Sequence, residues 1–474
     1  MGTARLRPDL ATLLGAATVL LHFVLAVAFH EERTAFVDLA FHLYEHATTG
    51  AVAIQNHRFV SALTQWVPVA LLNAGVELRW VQLAYSLAFP ALYGLTWALL
   101  RWPLRSPRWA LAWILPWLTF VTHDYYWIQS ELPQGLAVLT LALALVGRRP
   151  AGAAGQVLAK AARPCLLLAA AFAHPLLIVP VAYALGCLYL VRLAPKRDLL
   201  TAGAWFGGAW LLRMTAFSSA YEMSAAHPGR GLLWLLFEEV PPSLARLPAD
   251  FVTAYYATAL ALVAAVGLLA RQGHRGAAAW TAACCLGHLL LVALSNPVVG
   301  PAAFYIENLY LPAAWMAAVG LSFCVAAVGP LAPKPAVSIA IAALVIARFG
   351  QIVHVGLDTY RPRLERLGAD LERYADQKTL LLETPELTEA YLMTWGTGYE
   401  AWVWSARRGL PTRGFLIAPS AEPLRWALND PERLVTKFLM PRFAELPPRY
   451  FANPDPERGY RVVRVGDEAG GGLR

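Results

Sequence analysis

Long apolar runs recur along most of this chain and restrict the folds open to it. The first run, residues 10–29, carries no Asp, Glu, Lys or Arg. About 20 such residues are enough for a helix to cross the hydrocarbon core of a membrane. Over the 474 residues, 58% are hydrophobic and 15% are charged, whereas about a quarter are charged in an ordinary soluble domain. We therefore expect an all-α polytopic membrane protein, with the lipid bilayer as its first partner.

Basic residues in the short segments between apolar runs indicate the topology. Arg5 and Arg7 precede the first run, so the positive-inside rule places the N-terminus in the cytoplasm. The net charge of +8 could otherwise suggest a nucleic-acid partner, but residues confined to such short loops do not form a binding stripe. We expect no nucleic-acid binding. The remaining loop residues of this kind are Arg101, Arg105, Arg108, Arg148, Arg149, Lys160, Arg163, Arg192, Lys196, Arg197, Arg271 and Arg275.

Alternation between the two sides predicts about eleven transmembrane helices within residues 1–355. The run 164–191 has basic residues at both ends, so we expect it to cross twice, with a break near His174 and Pro175. The odd number of spans places the C-terminus outside a multi-pass protein of the cell membrane. The expected spans lie near 9–29, 79–100, 109–127, 131–147, 164–191 (two spans), 199–217, 251–270, 277–295, 304–327 and 335–354.

The composition changes near Gly356, where charged residues become frequent. Residues 363–374 have helical periodicity, and three short apolar stretches resemble strands. We predict that residues 356–474 form a small extracytoplasmic α+β domain. The strand candidates lie at 378–383, 415–418 and 460–465.

The first outer loop, residues 30–78, holds the most informative polar group. Asp38, His42 and His46 are spaced four residues apart, so on a helix they share one face, with Glu45 beside it. Carboxylates close to the bilayer are unfavourable without partners, which favours a functional role. A solvated amphipathic helix is the alternative.

Other candidate residues follow on the same predicted side. His57 and Arg58 come later in the first loop, and Asp124 and Glu131 lie between two predicted spans. Arg58 offers the donor geometry that phosphate oxygens accept. Asp124 has the alternative of a solvated turn.

Two further candidates lie near the ends of later predicted spans. Arg213 either extends toward the interface or binds a phosphate. Glu307 either faces the same site or anchors the start of a helix.

Two kinds of chemistry fit the first loop. Asp38, His42 and His46 offer ligand types that zinc or iron accepts, so a divalent metal is one alternative. Without any cofactor, a carboxylate acts as general base while His or Arg side chains meet phosphate oxygens. The five cysteines all lie in apolar runs and are expected to be inert.

This arrangement resembles the GT-C class of membrane glycosyltransferases, which use a polyprenyl-phosphate sugar donor. The resemblance consists of the many spans, Asp38 in a large first outer loop, Asp124 in a second and an outer C-terminal domain. The stretch 305–312 is also similar to one in bacterial membrane proteins of comparable layout. Asp38 is followed by Leu39, whereas many mannosyltransferases of the class have a paired acidic dipeptide here.

The resemblance implies transfer of a hexosyl or pentosyl group from a lipid-linked donor to an extracytoplasmic acceptor in the bacterial inner membrane. Asp38 would be the catalytic base or a metal ligand, with Asp124 supporting it. A transporter or flippase and a non-catalytic membrane assembly subunit are the alternatives. Residues expected to bind substrate or phosphate are His42, His57, Arg58, Glu131, Arg213 and Glu307.

Overall fold

The computed structural model describes residues 10–147, 153–220, 253–295, 303–327 and 335–464, together with Glu222 and Ala245. Arg5, Arg7 and the basic pair at 148–149, on which the predicted topology partly depends, lie outside the described residues. The same holds for the last ten residues of the predicted C-terminal domain.

Within its described residues, the helical body, residues 10–355, is built mainly from α-helices. Short 3-10 turns lie at Phe59–Ser61, His123–Tyr125 and Pro175–Leu177. The helices are α1 Leu10–Ala28, α2 His30–Thr34, α3 Val37–Thr49, α4 Ala62–Asn73, α5 Leu78–Arg101, α6 Pro107–Thr119, α7 Glu131–Ala144, α8 Ala153–Ala173, α9 Ile178–Leu190, α10 Lys196–Ala216, α11 Tyr256–Arg271, α12 Arg275–Ser295, α13 Ala303–Ala327 and α14 Pro335–Val355.

The run 164–191 contains the predicted break. Helix α8 ends at Ala173, His174 is extended (φ −157°, ψ 139°), and Pro175 opens the 3-10 turn before α9. Proline lacks the N–H that an uninterrupted helix needs at this point. Helix α8 begins earlier than predicted, so Lys160 and Arg163 lie within a helix and not in a loop.

Within the described residues, four helices are long and apolar enough to cross a membrane: Leu78–Arg101, Gly155–Ala173, Arg275–Ala293 and Ile339–Arg373. Large apolar side chains on such helices remain exposed, for example Leu158 at 70% and Ile346 at 73%. The sequence predicted more crossings. Several of the predicted spans contain shorter helices, such as α6 with 13 residues and α7 with 14, and these are shorter than the roughly 20 residues of a full crossing.

The C-terminal domain follows without a linker. A π-helical turn, Gly356–Tyr360, joins α14 to α15 Arg361–Arg373, so one long helix enters the domain. Three short parallel strands follow in the order β2-β1-β3: β1 Thr379–Leu382, β2 Phe415–Ala418 and β3 Arg461–Val463. They lie where the apolar stretches predicted them. Parallel strands require crossover connections between them. The helices that lie between the strands in the chain are α16 Pro385–Tyr391, α17 Thr397–Ala406 and α18 Arg425–Leu428.

The domain packs directly on the first loop of the helical body. Helix α17 lies against α3, and the Tyr44 ring contacts the Tyr399 ring at 5.1 Å between centroids and the Trp402 ring at 5.5 Å. Arg361 donates to Glu32 at 2.8 Å, and Arg407 pairs with Glu31. The first loop is therefore sandwiched between the helical body and the C-terminal domain.

Candidate functional site

A cavity of about 750 Å³ opens where the first loop, the helical body and the C-terminal domain meet. We call it the Asp38 cavity. Its polar lining comprises Asp38, Gln55, Asn56, Arg58, Gln129, Ser130, Glu131, His174 and Asn308. Its apolar and aromatic lining comprises Phe41, Trp127, Tyr305, Leu309, Met393, Trp395 and Phe438.

Asp38 lies in the first turn of α3 and faces this cavity. The Trp127 indole Nε1–H donates to Asp38 Oδ2 at 2.6 Å. Burial raises the pKa of Asp38 to about 6; the Trp127 hydrogen bond opposes this shift, and the negative charges of Glu131 and Glu400 add to it. A carboxyl group that titrates near neutral pH can serve as a general base.

Arg58 reaches the cavity because the chain before it turns sharply. Asn56 and His57 both have left-handed backbone conformations, with φ of 49° and 57°, which asparagine tolerates better than most residues. Arg58 then donates to Glu131 at 3.0 Å and to Glu222 at 3.2 Å. His57 itself is exposed and packs its ring on Phe217 at 5.6 Å, outside the cavity lining.

Arg213 extends this cluster behind the cavity wall. Its side chain is fully buried and donates to the same Glu222 Oε1 at 2.5 Å. Arg58 thus pairs with both Glu131 and Glu222, and Arg213 pairs with Glu222, so the two arginines and two carboxylates balance in charge. Burial lowers the pKa of Arg58, but Glu131 and Glu222 outweigh this effect and leave it above its ordinary value. Arg58 stays charged while facing the cavity.

The two histidines of α3 are engaged in other ways. His42 Nδ1 lies 3.1 Å from the Gln65 amide nitrogen, and His42 Nε2 lies 3.3 Å from the Gln129 amide nitrogen. Burial lowers the pKa of His42 to about 3. His46 Nδ1 contacts the Ala51 carbonyl oxygen at 3.0 Å.

The metal alternative for Asp38, His42 and His46 has no support among the described residues. The described residues contain no group of three His, Cys, Asp or Glu side chains placed to hold a metal ion. The physical reason is that both His42 nitrogens are within hydrogen-bonding distance of amides. These two amides therefore compete with a metal ion for the His42 nitrogens.

Glu307 is not part of the cavity lining and supports the connection between α6 and α7. Its carboxylate accepts backbone N–H bonds from Thr122 at 2.5 Å, His123 at 3.0 Å and Asp124 at 3.0 Å. The Tyr255 hydroxyl donates to it as well, at 3.0 Å. Glu307 is fully buried, and it satisfies the free N–H groups at the start of the 3-10 turn as a cap would.

Asp124 also stands apart from the described lining of the Asp38 cavity. It lines a separate void of about 10 Å³ together with His22, Arg33 and Trp117. Asp124 is 5% exposed, and neither carboxylate oxygen has a hydrogen-bond partner among the described residues. The structure thus gathers Asp38, Arg58 and Glu131 in one cavity, connects Arg213 through Glu222, and leaves Asp124 and Glu307 elsewhere.

Carboxamides and aromatic rings complete the site. Gln55, Asn56, Gln129 and Asn308 are the carboxamides of the lining. Two ring pairs line it as well: Trp127 and Tyr305, with centroids 5.0 Å apart, and Trp395 and Phe438, with centroids 5.4 Å apart.

Part of this lining was not predicted from the amino-acid pattern. Gln129 lies between Trp127 and Glu131 in one short segment, and this position was the sequence feature that could have identified it as a lining residue. Trp395 and Phe438 come from the C-terminal domain and carry no local signal, because their place in the cavity depends on how the domain packs.

An exposed apolar surface begins next to Arg58. Phe59, Leu63 and Trp66 are 53%, 50% and 64% exposed along the 3-10 turn and α4. The Phe59 ring contacts the Phe172 ring of α8 at 6.0 Å. A contiguous exposed apolar surface of this kind is typical of contact with a membrane or another protein.

Comparisons with known proteins add no relative to this description. No protein-family model matches the chain, and no curated protein and no solved structure matches it either. The functional assignment therefore depends on the Asp38 cavity and on the resemblance in layout.

Proposed function

We propose that this chain is an integral membrane glycosyltransferase that moves a sugar from a polyprenyl-phosphate donor to a hydroxyl acceptor on the extracytoplasmic side. One observation carries the proposal: a carboxyl group with a raised pKa, Asp38, shares a cavity of about 750 Å³ with a permanently charged arginine, Arg58. A base and a phosphate-binding cation in one cavity are what transfer from a sugar phosphate requires.

Asp38 is the general base in this mechanism. It accepts the proton of the acceptor hydroxyl as the acceptor oxygen forms a bond to the anomeric carbon of the sugar. The bond between that carbon and the phosphate oxygen breaks, and its electron pair leaves with the lipid phosphate. The Trp127 N–H at 2.6 Å orients the Asp38 carboxylate for this step.

Arg58 meets the departing phosphate. Its guanidinium has five N–H donors, and charge-assisted bonds to phosphate oxygens are among the stronger hydrogen bonds in proteins. Glu131 and Glu222 balance its charge within the protein. Buried Arg213 adds a second positive charge to this cluster, where it pairs with Glu222.

The remaining lining suits a sugar ring. Carboxamides supply both donors and acceptors, as neighbouring hydroxyl groups require, and Gln55, Asn56, Gln129 and Asn308 offer four of them. Aromatic rings such as Trp395 provide flat apolar faces for the C–H side of a pyranose or furanose.

The lipid part of the donor reaches the cavity from the bilayer. The exposed apolar side chains Phe59, Leu63 and Trp66 directly follow Arg58, so a polyprenyl chain lying against them keeps its phosphate beside the guanidinium. In the full arrangement, about eleven crossings place the N-terminus in the cytoplasm and residues 356–474 outside. The four long apolar helices support a membrane location.

Donor turnover in reconstituted vesicles tests the proposal. The purified full chain is supplied with polyprenyl phosphate bearing tritiated mannose or ribose, and the loss of label from the lipid phase is measured with and without sugar acceptors. We expect turnover by the wild type and a loss of at least about 100-fold in Asp38→Asn, since the amide preserves shape but cannot act as a base.

The matched control is Glu77→Gln, the same chemical change at a side chain that is 63% exposed. It should retain wild-type turnover. Near-normal turnover by folded Asp38→Asn would contradict the mechanism. Label that crosses the vesicle membrane while staying attached to its lipid would favour a flippase.

A further inference from the structure

The backbone immediately before Asp38 is strained. Val37 has φ of 37°, a left-handed conformation that is a clear outlier for a β-branched residue. Such conformations persist only where the surroundings impose them, and they are concentrated at functional sites. Val37 is also the first residue of α3, so its conformation sets the direction from which the Asp38 side chain enters the cavity.

A buried ion pair of the C-terminal domain holds Val37 in this conformation. The Val37 N–H donates to Glu400 Oε1 at 2.7 Å. Arg363 Nη2 donates to both oxygens of the same carboxylate, each at 2.7 Å. The side chains of Arg363 and Glu400 are 3% and 0% exposed, so neither partner is free to exchange with water.

Gly396 allows the domain to approach this closely. A Cβ atom at position 396 would lie 2.8 Å from Val37 Cα and 3.2 Å from Glu400 Oε1. The backbone of Gly396 is ordinary, with φ of −82°, so the glycine is required for space and not for conformation. The approach of α17 to the first loop thus depends on a missing side chain.

Asp38 is therefore held from two directions. On one side its carboxylate accepts from Trp127 of the helical body; on the other its backbone is fixed through Val37 by the C-terminal domain. The charged groups that act on it are Glu131 of α7 and Glu400 of α17, with Arg58 across the cavity.

We infer that Arg363, Glu400 and Gly396 are positioning residues through which the C-terminal domain holds the Asp38 carboxylate in the cavity. The inference rests on the proposed role of Asp38. Residues 356–464 are then part of the catalytic unit, and the site is incomplete without them. A misplacement of about 1 Å at a reacting group can cost about 100-fold in rate.

Gly396→Ala is the sharpest test, because it displaces Val37 without changing any charge. The matched control is Gly350→Ala in α14, where an added Cβ meets no atom within 4 Å. In donor turnover we expect kcat to fall at least about 10-fold in Gly396→Ala, with KM for the donor close to wild type and the melting temperature modestly lowered by overpacking. Gly350→Ala should leave kcat and KM unchanged and should not lower the melting temperature. A KM effect with normal kcat would contradict a positioning role.

A second measurement does not depend on catalysis. An apolar carbodiimide modifies protonated carboxyl groups, and mass spectrometry of the peptide containing Asp38 gives the modification rate at each pH. We expect this rate to change at least about three-fold in Gly396→Ala and to stay at the wild-type value in Gly350→Ala.

Glu400→Gln tests the same link by charge. The amide oxygen can still accept the Val37 N–H, while one negative charge near Asp38 is removed, so the pH midpoint of Asp38 modification should move to lower pH. Unchanged modification profiles in both folded variants would overturn the inference. If the wild type turned over no lipid donor, the proposed function would fail while this measurement still decided whether the domain positions Asp38.

Discussion

Two pairs of acidic residues in this protein were equally visible in the sequence, yet their surroundings differ completely. Asp38 and Glu131 face an open cavity, with Trp127 and Arg58 as side-chain partners. Glu307 is buried, and its carboxylate accepts hydrogen bonds from three backbone N–H groups, while Asp124 lines a void of about 10 Å³. A carboxylate that accepts hydrogen bonds from backbone N–H groups stabilises the fold. A carboxylate that borders a cavity beside a cation can instead contact a ligand.

The largest expected effect concerns Arg58. Arg58→Ala should reduce donor turnover by about 100- to 1000-fold, because a preorganised donor to a departing oxyanion commonly contributes on the order of 3–4 kcal/mol. Arg58→Lys keeps the charge but not the planar set of donors and should recover part of the rate. The measurement is kcat/KM with the mannose and ribose donors.

Arg79→Ala is the control for this prediction, since Arg79 is 56% exposed in a surface pair with Glu77. Unchanged turnover by a folded Arg58→Ala variant would contradict the proposed role of Arg58. The cavity would then have no assigned residue that binds the donor phosphate.

Glu307 should give the opposite pattern. Glu307→Ala leaves three backbone N–H groups without an acceptor at a fully buried position, and stranded buried donors cost about 1–3 kcal/mol each in the worst case. We expect a loss of at least about 3 kcal/mol in stability, read as a lower melting temperature in detergent. The kcat of the protein that remains folded should stay near wild type, and a selective loss of kcat would break the contrast with Asp38.

The sequence was informative where structure depends on local pattern. The break at Pro175, the helix at 361–373 and the three strands follow from proline chemistry and from periodicity. The sequence also predicted that one site contains Asp38, Arg58 and Glu131, because all three lie beside predicted spans on the same side of the membrane.

Other features depend on distant parts of the chain. The structural role of Glu307 depends on the backbone N–H groups of residues 122–124, which donate to its carboxylate. The spacing of residues in the sequence does not predict this contact. The contribution of Trp395 and Phe438 is set by domain packing. The early ends of α6 and α7 shorten predicted spans because hydropathy does not mark where a buried helix stops.

The pH dependence of turnover sharpens the comparison further. The pKa of Asp38 is raised to about 6, and a general base must be deprotonated to act. Turnover should therefore be nearly constant above about pH 7 and should fall about 10-fold per pH unit well below pH 6. A steady kcat/KM profile between pH 5 and 8 would contradict Asp38 as the base.

The smallest expected effect comes from Trp127. Its indole N–H donates to Asp38 at 2.6 Å, and a hydrogen bond to the charged form lowers the pKa of that carboxyl group. Trp127→Phe keeps an aromatic ring against Tyr305 but removes the N–H donor. The pKa of Asp38 should rise, so the acidic limb of the turnover profile should move to higher pH. A hydrogen bond to a charged group contributes about 1.5 kcal/mol, which corresponds to about one pH unit. Trp426→Phe, at an indole of the C-terminal domain that is 60% exposed and outside the cavity lining, is the control and should leave the profile in place. A shift to lower pH would mean that Trp127 acts on Asp38 through burial and not through its N–H.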